Sequence, residues 1–250
     1  MVHFVLSPDE MFAEQRAALL AAGFGASQRP DAVPAGARPL RDVPAGATVV
    51  YRGWMLNARE YATLASAIEA CGAMPFTSPR EYLLAHHLPN WYPLLAEFTP
   101  ETRTFAEGAD LVTELRALDW GAYFVKDHVK ALKTGRGPVL RDPADAPELL
   151  ALMREYRGTI EGGVCVRRVE EFVPDSERRY FVLNGTPFGP DAGAPIPDLV
   201  RACAERVPCP FFSVDVARRT DGALRVVEIG DGQVSDLVGW TAPRFADVWR

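Results

Sequence analysis

Asp215 and Glu228 are the two acids whose setting first suggests chemistry. Each interrupts an apolar, strand-forming run, in FFSVDVARRT and ALRVVEIG, with Asp221-Gly222 between the runs. A two-residue Asp-Gly loop would pair Thr220 with Ala223 and set Asp215 opposite Glu228 on one sheet face. Facing like charges destabilise a bare sheet. A divalent cation reverses that interaction, and paired carboxylates suit Mg2+. The same pattern also reads as a solvated edge hairpin with two incidental acids. A three- or five-residue loop would shift the register and spoil the pairing. The pair therefore calls for a phosphate-binding partner elsewhere in the chain.

Lys126 is the first candidate for that partner. It interrupts the apolar strand AYFVKD, where an ammonium near the interior needs an anion. HVKALKTGRG follows, with Lys130, Lys133 and Arg136 around Gly135 and Gly137. Backbone N–H groups of a glycine-containing loop can approach phosphate oxygens closely. The segment is neither a Walker A loop nor a Rossmann fingerprint, and an exposed basic loop is its plainer reading. Arg178-Arg179 opens another apolar strand, YFVLNG, and one of the two should point inward. VEEFVPDSE mixes acids with Phe172, Val173 and Pro174, a combination that can wall an aromatic ring or simply form a loop.

The elements that must carry these residues are legible from their periodicity. VHFVL reads as a strand, and Ser7-Pro8-Asp9-Glu10 opens a helix that ends near Gly23. Residues 25–47 read as an irregular Pro- and Gly-rich connection. TVVYRGWML is a strand, and NAREYATLASAIEACG is a helix from an Asn cap to a Gly stop. Residues 1–90 thus make a small α/β domain. Residues 91–250 are α+β with an antiparallel sheet, divided at about 165/166. Helices are expected in LVTELRALDWG, APELLALMREYRG and IPDLVRACAERV, and FVL-NG-TPF is a hairpin with a type I′ turn.

Composition narrows the class. The chain has 250 residues, 48% hydrophobic and 24% charged, with a net charge of -6. That balance argues against a nucleic-acid partner that depends on counterion release. No apolar run approaches the ~18 residues of a membrane span. MVHFVLSPDE lacks the basic region of a signal peptide. The four cysteines form no C-x-x-C pair, so reduced thiols and a cytoplasmic location are expected. The His86-His87 pair is poorly placed for joint ligation if helical.

The order strand Lys, Gly loop, VEEFVPDSE, strand Arg, then Asp and Glu on a terminal hairpin resembles the ATP-grasp superfamily. YRGWML and VVEIGDGQVSDL look most like its compact bacterial and phage clade named for one arginine and two lysines. The resemblance covers residues 91–250, with 1–90 similar to the α/β domain that precedes the grasp in many members. It implies two α+β subdomains that grip ATP. Lys126 matches the lysine that contacts the α- and β-phosphates, and the loop from His128 to Pro138, with Lys133, matches the mobile loop over them. Glu170, Glu171, Phe172 and Val173 match the adenine hinge, and Glu177 the acid that holds the ribose. Arg179 matches the cation on the transferring γ-phosphate, and Asp215 and Glu228 match the Mg2+ ligands. Many members carry Asn two residues after that Glu. Gly230 stands there in this chain, so Asp231 or a water would have to serve a second Mg2+.

The resemblance implies a Mg2+- and ATP-dependent ligase that joins a carboxylate to an amine through an acylphosphate. The substrates would be small molecules or peptides, with no nucleic-acid or membrane partner. Self-association into a homodimer is left open. Two alternatives fit the same residues: a small-molecule kinase, and a nucleotide-binding protein without catalysis, which the departure at Gly230 motivates. Arg52 in VYRGWML is the candidate cation for the acceptor carboxylate, because it closes a strand of the small domain. A plain surface arginine is the other reading of Arg52.

Overall fold

The computed structural model describes residues 1–30, 40, 42–132 and 135–250, with the side chain of Arg157 outside that description. Twelve strands and eight α-helices lie among the described residues. The chain divides into two compact units, each described by itself. One comprises Met1–Ala85, Arg178–Asp215 and Glu228–Arg250, and the other His86–Glu177 and Val216–Val227. The first of these divisions falls between Ala85 and His86. The later ones interleave the segments, because the C-terminal hairpin runs through from one unit to the other.

The first unit opens as an alternating α/β chain. Strand β1 (Val2–Leu6) leads through a 3-10 turn, Glu10–Phe12, into α1 (Ala13–Ala21) and then β2 (Gly25–Gln28). Strand β3 (Thr48–Arg52), helix α2 (Ala58–Ala70) and β4 (Met74–Pro75) follow. The four strands form a parallel sheet in the order β2-β1-β3-β4. Alternation along the strands sends Val5, Val49 and Tyr51 to a core with Tyr61, Leu64 and Ile68 of α2. Phe4, Leu6 and Val50 face the other way, onto Phe211, Phe245 and Trp249. Burial on both faces explains why these strands read as continuous apolar runs. Asn57 starts α2 with a reciprocal capping box to Glu60.

Strand β2 lies within the segment expected to be irregular. Gly25-Ala26-Ser27-Gln28 has no β-branched residue to announce it, and it forms by pairing with β1. Helices α3 (Pro79–His86) and α4 (Leu88–Leu95) were likewise unforeseen. Pro79 and Pro89 sit in first turns, where the missing N–H is harmless, while Pro93 lies inside α4.

The second unit contains β5 (Thr102–Phe105), α5 (Leu111–Leu118), β6 (Tyr123–Asp127), β7 (Val139–Leu140), α6 (Ala146–Arg157) and β8 (Val164–Arg168). Its antiparallel sheet runs β5-β8-β6-β7. Leu111 and Leu115 of α5 and Leu149, Leu150 and Met153 of α6 pack on Tyr123, Val125 and Val166 of the sheet.

The remaining elements are β9 (Arg178–Leu183), β10 (Thr186–Phe188), α7 (Asp198–Arg206), β11 (Phe211–Arg218), β12 (Leu224–Asp231) and α8 (Ala242–Asp247), with the sheet ordered β10-β9-β11-β12. The β9–β10 loop is the expected Asn-Gly turn. Asn184 and Gly185 have φ of 48° and 76°, and Leu183 pairs with Thr186.

Candidate functional site

In the second unit, Lys126 lies on β6 at 6% exposure, paired with Cys165 of β8 and bridged to Ala131. The strand ends in a fully buried acid. Asp127 Oδ1 accepts the backbone N–H groups of Val129 (2.7 Å) and Lys130 (2.5 Å), and Oδ2 accepts that of Glu161 (3.3 Å). This turn starts the basic loop and holds it to the strand that carries the lysine. The sequence signal for it was an Asp at a strand end followed by polar residues, a common turn initiator. Lys133 lies outside the described residues.

His128 fits because Gly162 lacks a side chain, and Gly163 leaves room for the Phe105 carbonyl. A Cβ on Gly162 would lie 2.2 Å from His128 Nδ1, and one on Gly163 would lie 2.7 Å from Phe105 O. Burial, then the neighbouring His87, lowers the His128 pKa. Burial pushes the Cys165 thiol up to about 11, which makes it a packing group.

The segment expected to hold adenine is tied to the tip of the C-terminal hairpin. Thr220 N–H donates to Glu171 O (3.0 Å), Val173 N–H donates to Arg218 O (2.8 Å), and Phe172 bridges Arg219. In this ladder the backbone N–H and C=O of Phe172 face the other edge. The Glu170 side chain takes a two-pronged bond from Arg225, with Nε and Nη2 each at 3.0 Å. Glu170 thus braces the hairpin. Glu177 is exposed just before β9.

In the first unit, Arg179 and Asp215 form a bidentate pair. Arg179 Nε and Nη2 donate to Asp215 Oδ1 and Oδ2 at 2.8 and 2.5 Å, and Nη1 donates to Asp236 O at 2.9 Å. Asp215 is 2% exposed. Burial opposes the charge on Arg179, but the bonds and charge of Asp215, with Glu228 and Asp236, outweigh it and raise its pKa.

The hairpin that carries Asp215 and Glu228 corrects the expected loop. Arg219 N–H donates to Ala223 O (2.8 Å) and Gly222 N–H to Arg219 O (2.9 Å), so the loop has three residues, with Gly222 at φ +91°. Alone, this would move Glu228 off Asp215. At the far end, however, Gly232 N–H donates to Phe211 O (3.1 Å). Between these bonds the first strand advances eight residues, 219 back to 211, and the second nine, 223 to 232. The second strand therefore carries one extra residue, a bulge. Val226 and Val227 both give their carbonyls to side chains off the hairpin, Thr99 Oγ1 (2.8 Å) and Arg167 Nη1 (2.5 Å). That places the extra residue there, and beyond it the register sets Glu228 opposite Asp215.

Gly230 shares a face with Glu228, since alternate strand residues point the same way. A Cβ there would lie 2.9 Å from Ser235 Oγ and 3.0 Å from Ser213 Oγ. Those hydroxyls are 2.7 Å apart and occupy the space where an Asn side chain would begin. Asp231 points to the opposite face, which corrects its expected role as a substitute metal ligand. It is fully buried, and its Oδ1 accepts Gln233 N–H (3.0 Å) and Gln233 Nε2 (3.2 Å). Gln233 Nε2 also donates to Tyr61 OH (2.7 Å). Burial raises the Asp231 pKa to about 7 against the bonds from Gln233 and the charge of Arg52.

Arg52 is also corrected. It is 1% exposed and every N–H is spent: on Gln15 Oε1 twice, on Ser235 O twice and on Gly232 O. No donor remains for a substrate carboxylate, so Arg52 anchors the segment after Asp231.

Two carboxylates on one sheet face fit a hard cation that completes its shell from phosphate and water. No group of three His, Cys, Asp or Glu side chains that could hold a metal by itself occurs among the described residues. No helix among them is long and apolar enough to cross a membrane.

A family model matches residues 117–250, and it describes an ATP-grasp domain, family 3 of the clade named for one arginine and two lysines. No curated protein matches the chain. Among solved structures, D-cycloserine synthetase DcsG is similar at TM-score 0.69 and 16% identity, covering 100% of this chain and 98% of that one. The RimK domain protein ATP-grasp from Sphaerobacter thermophilus is similar at 0.66 and 16%, covering 98% of each. The ATP-grasp ligase PsnB, complexed with precursor peptide PsnA2 and AMPPNP, is similar at 0.62 and 14%, covering 99% and 95%.

Proposed function

The chain belongs to the ATP-grasp domain family, in family 3 of the arginine-and-two-lysines clade, and from that membership we propose that it is an ATP-dependent ligase joining a carboxylate to an amine. The observation that carries this reading is the single sheet face bearing Asp215, its bidentate Arg179 and Glu228. In the reading, Phe172 offers its backbone N–H and C=O to adenine, with Glu171 and Val173 beside it and Glu170 bracing the segment. Glu177 takes the ribose hydroxyls. Lys126 and, from the loop, Lys133 neutralise phosphate oxygens.

Asp215 and Glu228 are the residues that would hold magnesium, which when bound neutralises charge on phosphate oxygens. Arg179 stabilises the charge that spreads over the transferring phosphoryl group, where positioning and electrostatics supply most of the catalysis. An acceptor carboxylate oxygen bonds to the γ-phosphorus as the bond to the β-phosphate oxygen breaks, and ADP leaves. The amine nitrogen then bonds to the acyl carbon and loses a proton, while the carbon–oxygen bond to phosphate breaks and inorganic phosphate departs. The segment from His128 to Pro138 covers the phosphates and keeps water from the acylphosphate. Support for the ligase class also comes from the fold neighbours DcsG and PsnB, the latter bound to a precursor peptide. Small-molecule and peptide acceptors are both in scope, in the cytoplasm.

The test is ADP release with Mg2+ and pooled carboxylates and amines, with Glu228→Ala as control. Acceptor-dependent ADP and amide that vanish in Glu228→Ala support the reading. ADP release untouched by Glu228→Ala sinks the metal assignment. A phosphorylated acceptor without amide identifies a kinase, and nucleotide binding without acceptor-dependent ADP release identifies a protein without catalysis.

A further inference from the structure

We propose that Arg29, at the carboxyl edge of the parallel sheet, binds the carboxylate of the acceptor. The strand order β2-β1-β3-β4 reverses direction at β1: the chain leaves β1 to one side for β2 and returns on the other for β3. In open parallel sheets the crevice at such a switch point, beyond the carboxyl ends of the strands, is where ligands bind. The loop after β1 carries Asp9 and the loop after β3 carries Trp54. The two loops are tied there by Trp54 Nε1 donating to Asp9 Oδ2 at 3.2 Å.

Arg29 follows β2, and its backbone N–H donates to the carbonyl of Leu6, the last residue of β1 (2.6 Å). From that anchor its guanidinium reaches the ring of Tyr51 on β3, 5.7 Å from the centroid, which brings it across the end of β1 to the switch point. The ring orients the cation by its negative face. Arg29 Nε is buried with no hydrogen-bond partner among the described residues. The guanidinium has neither a hydrogen bond nor a carboxylate partner among the described residues. An arginine fork with unspent donors matches the two oxygens of a planar carboxylate.

The neighbouring charges among the described residues are otherwise engaged. Asp9 already accepts Met11 N–H and Trp54 Nε1. Glu60, which acts electrostatically on Tyr51, is bonded to Asn57 N–H. Arg52 has no donor left. Arg29 is therefore a cation at this edge with capacity for an anion, and the half-exposed face of Trp54 offers the remainder of the acceptor an apolar wall.

The assignment rests on the ligase reading for the identity of the ligand, and two arms separate the two. In the first, ATP is left out. Phenylglyoxal labelling of Arg29, mapped by mass spectrometry, should fall severalfold when succinate or the carboxylate pool is added. Equal labelling with and without them, or protection by inorganic phosphate but not by carboxylates, overturns the proposal. In the second, Arg29→Met should raise KM for the acceptor carboxylate by roughly 10- to 100-fold, the loss of a charge-assisted pair. AMPPNP affinity should stay within about twofold, and Arg29→Lys should recover part of the loss. An unchanged acceptor KM in a folded Arg29→Met protein overturns it. A wild-type protein that releases no ADP with any acceptor fails the ligase reading alone, because the labelling arm still reads the anion site.

Discussion

Asp231→Asn should stabilise the protein at pH 8 and flatten its stability across mildly acidic pH. The Asp231 carboxyl is fully buried, and burial outweighs the Gln233 bonds and the Arg52 charge to move its pKa from 3.8 to about 7. With the folded value raised, the native state keeps a proton that the unfolded chain has released between about pH 4 and 7. Stability contributed by this group is therefore highest below that window, falls as pH rises through it and is level above. At about 1.4 kcal/mol per pH unit, the full loss at pH 8 is about 4 kcal/mol. Asn keeps an acceptor for Gln233 but puts an amide N–H group where Asp231 Oδ2 has no partner. An unmet buried donor costs about 1–3 kcal/mol. The net gain is about 1–3 kcal/mol at pH 8 and vanishes near pH 5 to 6, where an accrued wild-type loss of about 2–3 kcal/mol only matches the cost of the unmet amide donor. Arg52, lowered by burial to about 10, stays charged throughout. Urea unfolding of both proteins at pH 5, 6, 7 and 8 reads the difference. A variant less stable than wild type at pH 8, or a difference that does not change with pH, would refute the view of Asp231 as an uncompensated buried carboxyl.

Three further outcomes follow from the same geometry. Gly230→Asn should cost about 1–3 kcal/mol in thermal unfolding by overpacking against Ser213 and Ser235. It should leave the Mg2+ requirement for ADP release unimproved, and Ser235→Ala added to it should recover part of the stability. Arg225→Met should cost about 2–3 kcal/mol by leaving the Glu170 carboxylate without its fork. A double-mutant cycle with Glu170→Gln checks that the loss belongs to the pair. Gly162→Ala forces a side chain onto a φ of +77° and within 2.2 Å of His128 Nδ1. It should raise KM for ATP severalfold with a stability loss of about 1–3 kcal/mol, and an unchanged KM would separate the His128 packing from the basic loop.

Much of the fold was legible because local chemistry decided it. Asn57 with Glu60 three residues on, the Asn184-Gly185 turn and the apolar runs of β1 and β3 act within a few residues of themselves. Strand β2 was not legible, since only pairing with β1 makes Gly-Ala-Ser-Gln a strand. The hairpin shows a finer failure. The Asp215–Glu228 register was reached through a two-residue loop, and the protein reaches it through a three-residue loop and an extra residue at Val226–Val227. Loop and bulge offset each other, and the bulge depends on Thr99 and Arg167, more than fifty residues away in sequence. The meaning of Gly-Asp-Gly was likewise non-local: Gly230 clears two serine hydroxyls, and a Cβ at Gly232 would lie 2.6 Å from the Phe211 ring. Asp231 between them turns to Gln233.

The two arginines of the small α/β unit carry the same point into function. Arg52 closes a strand at the edge where ligands bind, so its position alone nominates it for a substrate anion. Its five N–H groups are all consumed by Gln15, Gly232 and Ser235. Releasing even one pair of them to a ligand would strand buried carbonyls and unseat the segment that follows Glu228. Arg29 lies outside any strand, and its guanidinium over Tyr51 has no hydrogen-bond partner among the described residues. An anion arriving there removes a desolvation cost that the protein already bears, whereas at Arg52 it would have to break bonds first. Acceptor binding at Arg29 therefore breaks no hydrogen bond among the described residues, and that difference is what the Arg29→Met measurement reads.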